Sequence, residues 1–398
     1  MTVIKQYLNF IFGNSLNFII CIAWGAILLG YWRGINNHIP VLRNYTDEIE
    51  WMIVVVPLVL SLRSWSKILK IRDVLFVLCC IFFYVLNFLI FPENEPYLSA
   101  RFFSFSILVL PYFFVGVALD LKKYLNVFYF ISVLSIGICA FYQLIYAQSS
   151  SYTGEASVSD YNMSLAYGIL PHVLMSSWIA LRDLKIWKIL VMLLGVFLLL
   201  ALGTRGPVLC SVLFIVVYVL LFKPSKHKAF KNIIVISVGV YILRFLNQFM
   251  FLMQGVVMQA GLSTRISDKY FEGELETSEG REFITSKLLE ELKTENPLCG
   301  FGILGSYNYV DNYPHNIFVD FVFSFGWLVG TILLMSILIL IIWALRYVKS
   351  QDDRVFLIIL ICAGIVHLCM SGTYLDSTMF FMLLGFCIRS IRRKNYQC

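Results

Sequence analysis

Residues 296–330 read NPLCGFGILGSYNYVDNYPHNIFVDFVFSFGWLVG, and two chemistries meet in them. A polar, glycine-rich loop ends at Tyr313-Pro314-His315-Asn316 and turns into a long apolar run. Proline fits the first turn of a helix, so a helix is predicted to open at Pro314, with His315 and Asn316 in its first turn. The positive end of a helix dipole disfavours imidazolium, so a histidine there tends to be neutral and able to accept a proton. Gly300, Gly302 and Gly305 let the preceding loop bend closely around a ligand or a neighbour. The plainer alternative is a polar re-entry into a membrane helix, with His315 at the interface.

Composition sets the class. Of 398 residues, 60% are hydrophobic and 14% charged, and the mean hydropathy is +0.81. That excludes an ordinary soluble domain and predicts an all-α polytopic membrane protein. The net charge of +7 is then a topology signal, not a nucleic-acid footprint. The first apolar run lacks a small-residue cleavage site and is expected to remain a membrane helix. Eight of the ten cysteines lie in apolar runs, where the thiol behaves as a small hydrophobe, and no cysteine spacing suggests a metal site.

A bilayer core of about 30 Å needs roughly 20 apolar residues per helix. On that measure about 12 spans are expected, centred on residues 11–32, 51–62, 74–91, 102–119, 127–147, 165–181, 189–203, 207–222, 232–250, 315–345, 355–371 and 378–388. With a cytoplasmic N-terminus, the inner segments hold 21 of the 31 basic residues, which favours both termini inside. The simplest partition is a single transmembrane domain over 1–398 with one large outer loop, 250–314, between spans 9 and 10. Within it, Ile284, Leu288 and Leu292 recur at four-residue spacing, with Leu289 beside them, so an amphipathic helix is expected near 278–296. Thr277 or Ser278 would cap it and Asn296-Pro297 would stop it.

Several basic residues stand out. Arg205 lies in a tight turn, Thr204-Arg205-Gly206, that splits an apolar run too long for one span. It either snorkels to the headgroups or faces a polar partner. Arg281 sits in the first turn of the loop helix. There it can pair with a loop carboxylate or, with the helix N-terminus, attract an anion such as phosphate. Arg244 and Arg265 flank the ninth span and read as interfacial anchors, with binding as a secondary role. Asp311 is a reserve acid–base candidate in the loop. Asp320 enters the membrane five residues after His315 and is expected to find a basic or hydrogen-bonding partner. His172 and His367 read as satisfied core residues, and Gly326-xxx-Gly330 as a close-packing motif between helices.

Taken in order, Thr204-Arg205-Gly206, Gly280-Arg281, Pro297-x-x-Gly300-x-Gly302 and His315-Asn316 with Gly326 and Gly330 beyond resemble the O-antigen polymerase and ligase superfamily of bacterial membrane glycosyltransferases. Where that family has a tryptophan after the loop arginine, this chain has Phe283 and Ile284. The resemblance implies a GT-C-like helical fold in the bacterial inner membrane, with the site facing outward. It implies an undecaprenyl-diphosphate-linked oligosaccharide as donor, no cofactor and no metal. Its implied partners are the bilayer, a chain-length regulator and a flippase, with no nucleic acid. His315 then becomes the catalytic base, Arg205 and Arg281 the diphosphate ligands, and Asn316 and Tyr313 orienting or substrate-binding residues. The implied product is O-antigen or capsule polymer. A ligase that transfers the glycan to lipid A-core is the alternative, and a lipid-linked oligosaccharide flippase is a second one.

Overall fold

The structure is a computed structural model that describes residues 2–36, 45–153, 163–202, 204–222, 246–259, 270–271 and 279–392. Among these the regular elements are helices, with no strand. Six are long and apolar enough to cross a membrane: Ile71–Ile90, Pro92–Ala118, Leu121–Gln143, Met163–Asp183, Ile317–Tyr347 and Gln351–Met370. The chain is a multi-pass membrane protein. Three further expected spans are shorter apolar helices, Met52–Trp65, Ile186–Ala201 and Arg205–Leu221. The span expected at 232–250 lies largely outside the described residues.

The first expected span, 11–32, is corrected. Helices Thr2–Phe12 and Ser15–Trp24 meet at 108°, and a third helix, Ile27–Asn36, follows. The break has a local cause. The Asn14 side chain accepts from the Leu16 amide at 2.9 Å and starts the second helix anew.

Contacts divide the chain into two compact units. One comprises Trp24–Val54 and Lys123–Thr277. Its most enclosed helix is Met163–Asp183. There His172 lies 3.2 Å from the Ser132 hydroxyl and edge-on to Trp24, whose ring stacks on Phe128. His172 is thus a hydrogen-bonded core residue.

The other unit comprises Met1–Ala23, Val55–Lys122 and Ser278–Cys398. Helices Pro111–Ala118 and Thr378–Arg392 touch backbone to backbone at Gly116 and Gly385. At one end of this unit Arg392 grips the buried Asp73, and Arg389 lies between Asp120 and Asp353 at 3.6 Å from each. The helix Ile71–Ile90 runs from Asp73 at that end to Asn87 at the other, where Asn87 accepts from the Ile303 amide.

The helix Ile317–Tyr347 is not one straight span. Gly326 interrupts it with φ 77° and ψ 167°. A Cβ on Gly330 would lie 2.6 Å from the Phe321 carbonyl oxygen and 2.8 Å from Val322 Cα. Residues eight or nine apart in a straight helix are about 12 Å apart. The chain therefore doubles back at Gly326, and residues 317–325 pack against the start of 327–347. Gly326 and Gly330 do not pair two separate helices; they let one chain fold on itself.

The loop fills the break. Phe301 N donates to Phe323 O at 2.8 Å, Gly302 N to Ser324 O at 3.0 Å, and Trp327 N to Pro297 O at 3.0 Å. These satisfy backbone groups that an interrupted helix would otherwise bury unpaired. Side chains reinforce the joint. Phe301 stacks on Phe323 at 4.6 Å, and Ile284, Leu288, Leu289 and Leu292 of helix Glu279–Thr294 pack with Val319, Val322 and Phe323. Leu288 and Leu292 are fully buried, and each contributes about 1.5–3 kcal/mol relative to exposure.

Gly326→Ala should abolish this joint. Its Cβ would fall 2.0 Å from the Leu298 carbonyl oxygen, at a positive φ that disfavours alanine. A large drop in the thermal midpoint of the detergent-solubilised protein is expected. The control is Gly137→Ala, on a helix with nothing within 4 Å of the new Cβ, which should be neutral or slightly stabilising. Equal midpoints for the two variants would contradict the doubled-back arrangement.

Candidate active site

Three polar segments gather at the Asn87 end of this unit: residues 91–103, the loop 295–316 and the turn 371–377. Asn94, fully buried, ties the first two. Its amide donates to Phe301 O at 2.8 Å and Ile303 O at 3.2 Å, and its Oδ1 accepts from Asn308 Nδ2 at 2.6 Å. Buried amides with full partner sets fix a loop far more firmly than exposed ones.

This anchored loop delivers His315. The helix opens at Ile317, three residues later than the proline predicts. Asn316 is the reason. It adopts an extended backbone, and its Oδ1 accepts from the Phe318 amide at 2.9 Å, which makes it the cap. His315 therefore stands outside the helix, at φ 59°. That left-handed conformation costs a non-glycine residue about 1–2 kcal/mol. Such strain persists only where the surroundings over-determine it, and it clusters at working sites.

The imidazole lies against the Tyr313 ring, with centroids 4.2 Å apart. Its Nδ1 is shielded from solvent and has no hydrogen-bond partner among the described residues. Burial first, and then the positive charge of Arg281, lower its pKa to about 4. His315 is thus neutral at pH 7, with a lone pair available. Arg281, on helix Glu279–Thr294, donates to the Met370 carbonyl at 2.8 Å. The helix that docks on residues 317–325 thereby also carries the cation beside the histidine.

Around them runs a second chain of polar contacts. Buried Asp320 accepts from the Thr373 hydroxyl at 2.7 Å, which fixes the turn 371–377. From that turn Asp376 pairs with Arg101 at 2.7 Å. Arg101 also donates to the Tyr307 hydroxyl at 2.5 Å and lies over its ring, 5.1 Å from the centroid. Of the two kinds of partner expected for Asp320, it thus has a hydrogen-bonding hydroxyl.

The other sequence candidates fall elsewhere. Arg205 is the first residue of helix Arg205–Leu221, half-buried, in the other unit. Asp311 is exposed at φ 51°, where it closes the short helix Tyr307–Val310. Arg244 and Arg265 lie outside the described residues, as do Thr277 and Ser278. Sequence reasoning missed Asn94, Arg101, Tyr307, Thr373 and Asp376. One signal was present: Asp376 is the lone acid between Val355 and the C-terminus.

The sequence profile of a family described as O-antigen ligase matches residues 190–335. This agrees with the superfamily that the motifs resemble, and it spans Arg205, Arg281 and His315. No curated protein and no solved structure matches the chain.

Diethyl pyrocarbonate acylates only neutral imidazole, so its reaction with His315, mapped by mass spectrometry, reports the ionisation directly. Half-maximal reactivity is expected near pH 4, with a plateau above. Arg281→Gln removes a cation that disfavours the imidazolium, so the midpoint should rise while staying below about 6.5, because burial remains. A midpoint near the ordinary value, unmoved in the variant, would contradict the environment described.

Proposed function

We propose that this chain, whose residues 190–335 carry an O-antigen ligase family domain, is a polymerase of lipid-linked polysaccharide repeat units. In this reading it transfers a glycan from undecaprenyl diphosphate to a sugar hydroxyl of another lipid-linked repeat. The family match supports the coarser statement, an O-antigen ligase or polymerase type of membrane enzyme. The observation that carries the transfer chemistry is His315, neutral, strained and with a shielded nitrogen that has no partner among the described residues, beside Arg281. The run Tyr313-Pro314-His315-Asn316, which resembles the polymerases, favours the finer reading.

The reaction balances around these groups. The acceptor oxygen attacks the anomeric carbon from the face opposite the diphosphate, so the centre inverts. The bond from that carbon to the diphosphate oxygen breaks, and its electron pair leaves on the lipid diphosphate. The acceptor's proton passes to the His315 imidazole. A base so placed contributes about 10²–10⁴-fold. The departing diphosphate gains negative charge, which guanidinium groups meet with paired N–H donors in a planar fork. Arg281 is proposed for this from its place beside His315, and Arg205 from its sequence motif. In this proposal the guanidinium groups take the role that a metal ion fills in other transferases. Asn316 fixes His315 through the helix start, and Tyr313 packs on its ring.

The matched family description also favours a second reading, a ligase whose acceptor is lipid A-core. Both share the donor chemistry above and differ in the acceptor. Glycan analysis of a deletion strain separates them. A single repeat on the lipid, with no polymer, is expected for the polymerase. Normal polymer left unattached would instead establish the ligase.

In a purified assay containing EDTA, Arg281→Lys and Arg205→Lys should each reduce turnover at least about tenfold, because an ammonium cannot reproduce the fork. Wild-type rates in both lysine variants would contradict the guanidinium role.

A further inference from the structure

The polar chain through Asp376, Arg101 and Tyr307 has no part in the steps above. It shares the loop end of this unit with the base nonetheless. Tyr307 is held by Arg101, and Tyr97 packs on its ring at 5.1 Å. The Tyr307 phenol is pushed up by burial, and Asp376 and Tyr313 add to this while Arg101 opposes it, so all three lie within electrostatic reach. Tyr313 is the residue whose ring lies on His315. The turn that carries Asp376 is tied through Thr373 to Asp320, five residues after His315, and Arg281 donates to the Met370 carbonyl just before that turn.

We propose that Tyr97, Arg101 and Asp376, backed by Tyr307, bind the acceptor glycan; this rests on the glycosyl-transfer reading above. The chemistry of the cluster selects a neutral polyol over a diphosphate. Arg101 and Asp376 form a pair of zero net charge that still offers both donors and acceptors. Arg101 uses one terminal nitrogen on Asp376 and the other on Tyr307, and its guanidinium has five N–H groups. The Asp376 side chain is 53% exposed, so its carboxylate can accept from sugar hydroxyls. A vicinal diol presents both halves of that complement. A diphosphate would meet the Asp376 carboxylate as a like charge. Tyr97, half-exposed, adds an aromatic body with a polar tip, suited to the apolar C–H face of a pyranose.

Position in the chain agrees. Arg281 and His315 lie within the matched residues 190–335, whereas Tyr97, Arg101 and Asp376 lie outside them. The base and the diphosphate-binding cation are then carried by one segment and acceptor recognition by others. Nor is the pair needed as a structural tie. An ion pair this exposed contributes little to stability, so altering Asp376 should leave the fold intact.

Two probes test the assignment by direct binding to the full chain: the oligosaccharide freed by mild acid from the source strain's lipid-linked repeat, and inorganic pyrophosphate. Asp376→Asn and Tyr97→Leu should each weaken oligosaccharide binding at least about tenfold while pyrophosphate affinity stays within about twofold. Arg281→Gln should show the reverse pattern. Tyr97→Phe, which keeps the ring, should restore binding. Wild-type oligosaccharide affinity in both Asp376→Asn and Tyr97→Leu, or loss of pyrophosphate binding in their place, would overturn the acceptor site. If wild-type protein, supplied with the lipid-linked donor, binds the oligosaccharide through these residues yet never elongates it, the polymerase reading fails and the binding site stands. If it elongates glycan without dependence on Tyr97 or Asp376, the transfer reading stands and the acceptor site fails.

Discussion

The backbone hydrogen bonds between residues 297–302 and the interrupted helix at Gly326 are what the rest of the site depends on. A helix broken inside an apolar protein leaves amides and carbonyls that must find partners. Here Pro297, Phe301 and Gly302 supply them. Gly300 lies so close to the break that a Cβ there would approach the Gly326 nitrogen to 2.5 Å. The loop and the break thus form one object. Residues 317–325 double back because of it, and their first residues set where His315 stands. The helix Glu279–Thr294 docks on the same nine residues, so Arg281 and His315 are positioned from one platform.

Polar chemistry in this unit sits at its two ends. At one, the Asp73–Arg392 pair links the helix Ile71–Ile90 to helix Thr378–Arg392, and Arg389 of that helix lies between Asp120 and Asp353. At the other, Asn87, Asn94, Asp320 and Thr373 hold loops through neutral or single hydrogen bonds. The difference suits the roles proposed. Ion pairs tie helix ends together, while at the loop end Arg281 and the Arg101–Asp376 pair are the charges proposed to meet substrates. A neutral histidine beside a fixed cation is a stable combination, because burial first, and then the same charge that would attract a diphosphate, keep the base unprotonated.

Much of this was legible in the sequence for local reasons. A chain that is 60% hydrophobic has to cross membranes. The stripe Ile284–Leu288–Leu292 follows from the helical period, and the His315 and Arg281 motifs follow from residue type beside helix starts. What was not legible was non-local or competitive. Asn316 displaced the predicted start at Pro314 because a capping side chain outweighs a permissive proline. Asn14 cut the first apolar run in the same way. Gly326 and Gly330 read as a helix-pairing motif because their real partners are non-local to that pattern: Gly326 meets Leu298 and Cys299 of a loop that hydropathy treats as a separate segment, and Gly330 meets Phe321 and Val322 of the doubled-back chain. Arg101 and Asp376 are 275 positions apart, and no spacing rule joins them.

The central claim is that neutral His315 takes the acceptor's proton. The most direct measurement is the turnover of His315→Gln at pH 7, in purified protein shown to bind the donor lipid. Glutamine can donate and accept hydrogen bonds but cannot hold the proton. A loss of at least about 100-fold is expected for removal of a general base. Turnover within a few-fold of wild type would contradict the claim and leave His315 as a positioning residue.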